Sequence, residues 1–167
     1  MRLDLSQILH TPDARKDFSF QLDLTDLEFY GGKPITRPVQ AEGSVTNHAG
    51  ALVLEGTARS ELDLACDRCG KGFSREKVVH MDYLVAQELE DEENDEIFLL
   101  DGTELDLDEV VTTAFVLAMD TKNLCSDDCK GLCSKCGANL NVEPCRCKPE
   151  VDPRLAALAQ LLDSETE

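Results

Sequence analysis

Eight cysteines fall into four close pairs, Cys66-x2-Cys69, Cys125-x3-Cys129, Cys133-x2-Cys136 and Cys145-x1-Cys147, and no other feature restricts the fold as much. Thiols a few residues apart can turn toward one tetrahedral ion, and zinc favours sulfur ligands held on short knuckles of this kind. Eight thiols supply two four-cysteine sites, so two zinc ions are expected. Between residues 123 and 148 regular hydrophobic periodicity stops and six of the cysteines take over. A stretch this short and polar cannot hold itself by apolar burial, so metal has to fold it.

The alternative use of eight cysteines is a disulfide framework, and compartment decides between the two. No run of 18 apolar residues occurs, and the opening Met1-Arg-Leu-Asp-Leu-Ser-Gln-Ile-Leu-His10 lacks the charged-then-apolar layout of a secretory signal. A cytoplasmic protein without a membrane segment is expected, and reducing conditions there disfavour structural disulfides. His10, His48 and His80 have no ligand spacing to any cysteine pair, so they read as surface or strand residues. A redox Cys-x2-Cys pair belongs in a parallel βαβ setting with a helix N-terminus to lower the thiol pKa. Cys66-Asp-Arg-Cys69 lies between strand-like segments instead.

Those segments alternate. Phe18, Phe20, Leu22 and Leu24 share one face of a strand, broken by Gly31, Gly32 and Pro34. Residues 39–45 and 52–64 continue as strands around the turn-prone Asn47-His48-Ala49-Gly50, and Val79, Met81, Tyr83 and Val85 alternate after the first cysteine pair. Residues 66–71 therefore form a hairpin tip, with Gly70 closing the knuckle. Asp106 and Glu109 make a capping-box arrangement for a helix over 106–119, with Val110, Ala114, Leu117 and Ala118 as its buried stripe and Val111, Phe115 and Val116 widening it. A last helix starts at Asp152-Pro153 and presents Leu155, Leu158, Ala159 and Leu162.

The expected class is α+β: a mainly antiparallel β-sheet with a packed helix, a zinc-knuckle Cys-rich segment and a C-terminal helix. The division falls into a β-rich domain over 1–120, carrying the knuckle at 66–69, and a Cys-rich tail with its helix over 121–167. How the thiols share two ions stays open. The preferred grouping puts Cys66, Cys69, Cys125 and Cys129 on one ion and Cys133, Cys136, Cys145 and Cys147 on the other. The other grouping joins Cys125, Cys129, Cys133 and Cys136. Loop-closure cost rises by only ~0.6 kcal/mol per doubling of length, so it does not separate them.

The net charge of −18 opposes polyphosphate binding over most of the surface. Residues 66–80 and 122–154 hold ten of the sixteen Lys/Arg but only seven of the thirty-four acids, a balance of +3. Two four-thiolate zinc sites, at −2 each, take those windows to about −1. Residues 88–96 carry seven acids, a solvated loop or a dock for a basic partner. No Gly-rich phosphate loop, His-Glu-x2-His, Gly-x-Ser-x-Gly or singled-out acid pair occurs, which excludes the common motif-borne enzyme classes and gives no small-molecule substrate.

Cys66-Asp-Arg-Cys69-Gly70, Asp106-Leu107 at the helix start, and Leu124-Cys-Ser-Asp-Asp-Cys-Lys-Gly-Leu-Cys-Ser-Lys-Cys-Gly-Ala-Asn-Leu-Asn141 together resemble the YceD family of large-subunit ribosomal RNA accumulation proteins. The tail motif is the strongest part, and the first 60 residues contribute little. Leu117-Ala-Met-Asp120 lacks the proline often found at that helix exit. The resemblance implies a non-enzymatic factor in ribosome assembly whose partner is ribosomal RNA, a basic ribosomal protein, or both. It also supports the preferred cysteine grouping, because shorter-tailed members keep the first pair and ligand-like residues near Cys125 and Cys129. Candidate contacts are Arg68, Lys71, Arg75, Lys77, Lys130, Lys135, Arg146 and Lys148, although exposed Lys and Arg are routine on any surface. A thiol-based redox sensor or metal-transfer protein is the alternative.

Overall fold

The computed structural model describes residues 1–88 and 97–147. The second helix expected after Asp152, most of the acidic run at 88–96 and Lys148 lie outside the described residues.

Alternating apolar residues build the sheet as the pattern requires. Strands β1 (Arg2–Asp4), β2 (Arg15–Leu22), β3 (Val39–His48), β4 (Ala51–Ala65), β5 (Gly72–Ala86), β6 (Ile97–Leu99) and β7 (Glu104–Asp106) precede helix α1 (Leu107–Leu117). Five of them form one sheet in the order β2-β3-β4-β5-β6, and β1 pairs with β7 apart from it. The long β4–β5 hairpin runs in register from Leu52↔Val85 to Ala65↔Gly72, which carries its tip far from the other end of the sheet. Val39, Ala41, Val45, Leu54, Ala58, Leu62, Val79, Met81 and Val85 line the covered face, every second residue of their strands.

Two expectations are corrected. The sheet is mixed, because β6 runs parallel to β5 with Leu84↔Ile97, Val85↔Phe98 and Ala86↔Leu99 in register. Ten residues, 87–96, separate the two strands. The helix also ends earlier than 119, at Leu117 with Ala118 as its C-cap. Its buried stripe is Leu107, Val110, Val111, Ala114 and Phe115, while Leu117 is 77% exposed. At 100° per residue Leu117 sits at the margin of that stripe in the last turn, and Val116 points opposite to its centre.

The N-terminal segment, unassigned from periodicity, closes the other side of the core. Leu3, Leu5 and Ile8 join the apolar cluster with α1, so the core lies between the sheet and a layer made of β1, β7 and α1. Asn47 fixes this segment to the β3–β4 hairpin. Its buried amide donates to the carbonyls of Ile8 (2.7 Å) and Leu9 (3.0 Å) and accepts from the Gly50 amide (2.7 Å).

Candidate metal centres

Both Cys-x2-Cys pairs fold into the same turn. At the β4–β5 tip the Gly70 amide donates to the Cys66 carbonyl (2.8 Å) and the Cys66 amide to the Lys71 carbonyl (2.9 Å). Residues 133–138 repeat it, with Gly137 donating to Cys133 (2.9 Å) and Cys133 to Ala138 (2.8 Å). Gly70 and Gly137 take φ of 68° and 72°, a left-handed conformation that a side chain would strain.

Each knuckle meets a second cysteine pair, and the structure gathers the sulfurs as Cys66, Cys69, Cys125, Cys129 and as Cys133, Cys136, Cys145, Cys147, all within 4.8 Å of one another in each group. In the first cluster Cys66 Sγ lies 3.8 Å from Cys129 Sγ and Cys69 Sγ 3.7 Å from Cys125 Sγ. Four thiolates about 2.3 Å from a tetrahedral zinc ion sit about 3.8 Å apart, so this spacing fits a metal site. The second cluster is slightly more compact, with Cys145 Sγ 3.2 Å from Cys133 and 3.5 Å from Cys136. Either donor set can hold a metal ion.

Their surroundings differ. Cys66, Cys69 and Cys129 are buried and pack with Phe73 and Leu124 in a small cluster that adjoins the main core through Phe73. Cys136 and Cys147 are exposed and Cys133 and Cys145 half-buried. In the absence of a cation, crowding splits the thiols. Backbone N–H groups, that of Cys125 foremost, bring Cys66 down to about 6, and those of Cys136 and Lys135 bring Cys133 to about 6. Burial, with the neighbouring thiols, pushes Cys125 up to about 12, and the bonds from Cys145 and Cys136 push Cys147 to about 12.

The first cluster is clamped by polar bonds across a long sequence interval. Asp67 N donates to the Asn123 carbonyl (2.8 Å) while Asp67 Oδ2 accepts from Asn123 N (2.6 Å). Arg68 Nη1 donates to the Cys129 carbonyl (2.8 Å), and the Arg68 carbonyl accepts from Leu132 N (3.0 Å). Arg75 donates to the Leu124 carbonyl (2.6 Å) and its guanidinium lies 5.3 Å from the Phe73 ring centre. Lys77 pairs with Asp120 (3.0 Å), beside the helix exit that Tyr30 also holds through the Asp120 carbonyl.

Of the eight basic residues named from the sequence, Arg68, Arg75 and Lys77 thus have internal bonds. Lys71, Lys130 and Arg146 are exposed near the clusters, and Lys135 is exposed with its amide donating to Cys133 Sγ (3.4 Å). The sequence reading gave no role to Asn123, Asn139 or Asn141. Asn141 donates to Cys129 Sγ (3.3 Å), and the Asn-Leu-Asn run closing the tail motif was the only sign of it. No helix among the described residues is long and apolar enough to cross a membrane.

A family model described as large ribosomal RNA subunit accumulation protein YceD matches residues 54–162. A maize protein named large ribosomal RNA subunit accumulation protein YCED homolog 1, chloroplastic, is 28% identical over 84% of this chain and 59% of its own length. The Arabidopsis thaliana protein of the same name is 25% identical over 89% of the chain and 55% of its own. An uncharacterised Mycobacterium tuberculosis protein is 33% identical over 45% of the chain and 36% of its own. The chain therefore spans less than two thirds of the relatives it matches. No solved structure matches it. Both cysteine clusters and the capped helix fall inside the matched residues, and the chain belongs to the YceD family.

Proposed function

We propose that this chain is a non-enzymatic, zinc-folded factor that promotes accumulation of large-subunit ribosomal RNA by contacting a basic ribosomal protein during assembly. The observation that carries the reading is the family match across residues 54–162, which takes in every cysteine. Zinc is the metal the donor set favours, because four thiolates in a tetrahedral array without an open position make a closed structural site.

Charge favours protein over naked RNA as the direct partner. The open face of the sheet presents Asp17, Glu42, Glu55, Glu61, Asp63, Glu76 and Asp82. Arg15, Arg37 and Arg59 pair with only Asp17, Glu61 and Glu42. A surplus of acid steers a basic partner and repels phosphate. Lys71, Lys130 and Arg146, exposed at the sulfur-rich end, are the contacts offered to RNA adjoining that protein.

The test is binding of the purified, metal-loaded protein to basic large-subunit proteins and to naked ribosomal RNA across a salt series, with crosslinking in cells to ribosomal precursors. Expected is salt-sensitive binding to one or more basic proteins and weak binding to RNA. Tight, salt-steep binding to naked RNA would move the direct contact to RNA, and absence of both from the crosslinks would remove the assembly role. A thiol-sensor or metal-transfer role would instead show labile metal and rapid alkylation at both clusters, which native mass spectrometry reads directly.

A further inference from the structure

The two sulfur clusters are not independent. The Asn141 side chain belongs to the loop of the second cluster, between Cys136 and Cys145, yet its Nδ2 donates to Cys129 Sγ of the first at 3.3 Å. Its remaining groups are committed as well. Oδ1 accepts from Lys130 N (2.7 Å), and Nδ2 also donates to Asn139 Oδ1 (2.9 Å), which accepts Asn141 N too (3.0 Å). Because Lys130 N can only donate, the amide is held with its oxygen toward Lys130 and its nitrogen toward the sulfur.

That placement depends on the second knuckle. Leu132 and Asn139 form a bridge, Cys133 N donates to Ala138 O, and Leu140 N donates to Gly131 O (2.9 Å), so the loop bearing Asn139 and Asn141 folds back along residues 131–133. Apart from Cys129 and Gly131, every described residue from 124 to 147 is at least partly exposed. Hydrogen bonds shape this loop but little apolar burial backs them, so the second cluster's thiols are its main cross-link once an ion is bound.

We propose that Asn141 is a positioning residue that couples the two centres: filling the second site sets its amide against Cys129 and thereby tightens metal retention at the first. This rests on the metal-binding reading above. Four thiolates leave a bound divalent ion at −2, and an N–H donor aimed at a buried sulfur, 4% exposed here, offsets part of that charge. Partners of this kind are worth about 10–100-fold in metal affinity. Coupling is reciprocal, so filling the first site also tightens the second.

The experiment uses the full chain, zinc and a competing chromophoric chelator, with ions counted by native mass spectrometry and protected cysteines located by alkylation. Asn141→Leu removes the amide. Asn141→Asp keeps an acceptor for Lys130 N but removes the donor. The double change Cys133→Ser, Cys136→Ser empties the second site. Asn141→Leu and Asn141→Asp are each expected to bind two ions at saturation, with first-site affinity lowered about 10-fold or more. Emptying the second site should lower it by a similar factor, and combining that change with Asn141→Leu should add little.

A first site that is unchanged in both Asn141 variants, or losses that multiply in the combination, would overturn the coupling. An independent readout is a through-bond correlation between the Asn141 side-chain amide and the metal at the first site in cadmium-substituted protein, expected in the wild type and lost when the second site is empty. Its absence from the wild type would also overturn it. Two ions bound independently remove this inference alone, whereas no bound ion removes the metal reading with it.

Discussion

At Gly43 the sheet leaves no room for a side chain. A Cβ there would lie 2.3 Å from the Glu55 carbonyl oxygen, 2.7 Å from Gly56 Cα and 2.8 Å from the end of Phe18. Phe18, its cross-strand partner, covers the gap that the missing side chain leaves. Gly43→Ala is therefore expected to destabilise the protein by about 1–3 kcal/mol through overpacking, read as a lower urea midpoint at unchanged slope. The basic residues separate on the same scale. Arg75→Ala and Lys77→Ala remove bonds to Leu124 and Asp120 and should loosen residues 120–125, seen as faster amide exchange there. Lys71→Glu and Lys130→Glu should leave that exchange unchanged and alter only partner binding. Closeness in sequence placed all four residues near the cysteines; which of them face inward depends on where the helix exit lies over β5.

Among elements, the two knuckles are the same turn in different settings, and the setting governs reactivity. The first sits at the tip of a hairpin of two fifteen-residue strands and is roofed by Phe73 and Leu124; the second has Cys136 and Cys147 at the surface. Reaction with a thiol-alkylating reagent under limiting chelator should label Cys136 and Cys147 before Cys66, Cys69 or Cys129, with one ion lost before the other. Labelling of the first cluster ahead of the second would contradict this order. The turn itself was legible, since Cys-x2-Cys-Gly names its own closing residue. Its degree of burial was not, because that depends on Phe73 and Leu124, which are separated by fifty residues and meet only across the fold. The parallel β6 was missed because three residues carry no directional signal of their own.

For the molecule as a whole, the apolar core ends with the helix. Ala118 and Met119 are the last described residues packed against it, and the sulfur cluster is a second, smaller one that meets it at Phe73. Stripping metal is expected to leave the β-sheet signal in far-ultraviolet circular dichroism while opening residues 121–147 to proteolysis. Collapse of both together would show instead that the first centre holds the sheet. Acid should do the same as a chelator. Cys125 and Cys147, at about 12, keep their protons at neutral pH without a cation, so binding has to expel them. Metal retention then weakens as pH falls and strengthens as it rises, measurable as zinc release along an acid titration.

The sequence by itself determined the elements that close over short distances: alternation made β2 to β5, Asp106 capped α1, and cysteine spacing with a following glycine made two knuckles. It also set the net charge and the family motif. Tertiary structure decided which cysteine pair completes each knuckle, the N-terminal strand's place beside β7, the mixed direction of the sheet and the contact of Asn141 with Cys129. Some join residues far apart, as Cys66 with Cys129 and β1 with β7, and others span about a dozen residues, as Asn141 with Cys129; in either range the entropy of closing a loop changes too slowly with length to choose a partner. Packing of the helix exit against the long hairpin makes that choice, by bringing Cys125 and Cys129 to the tip that carries Cys66 and Cys69.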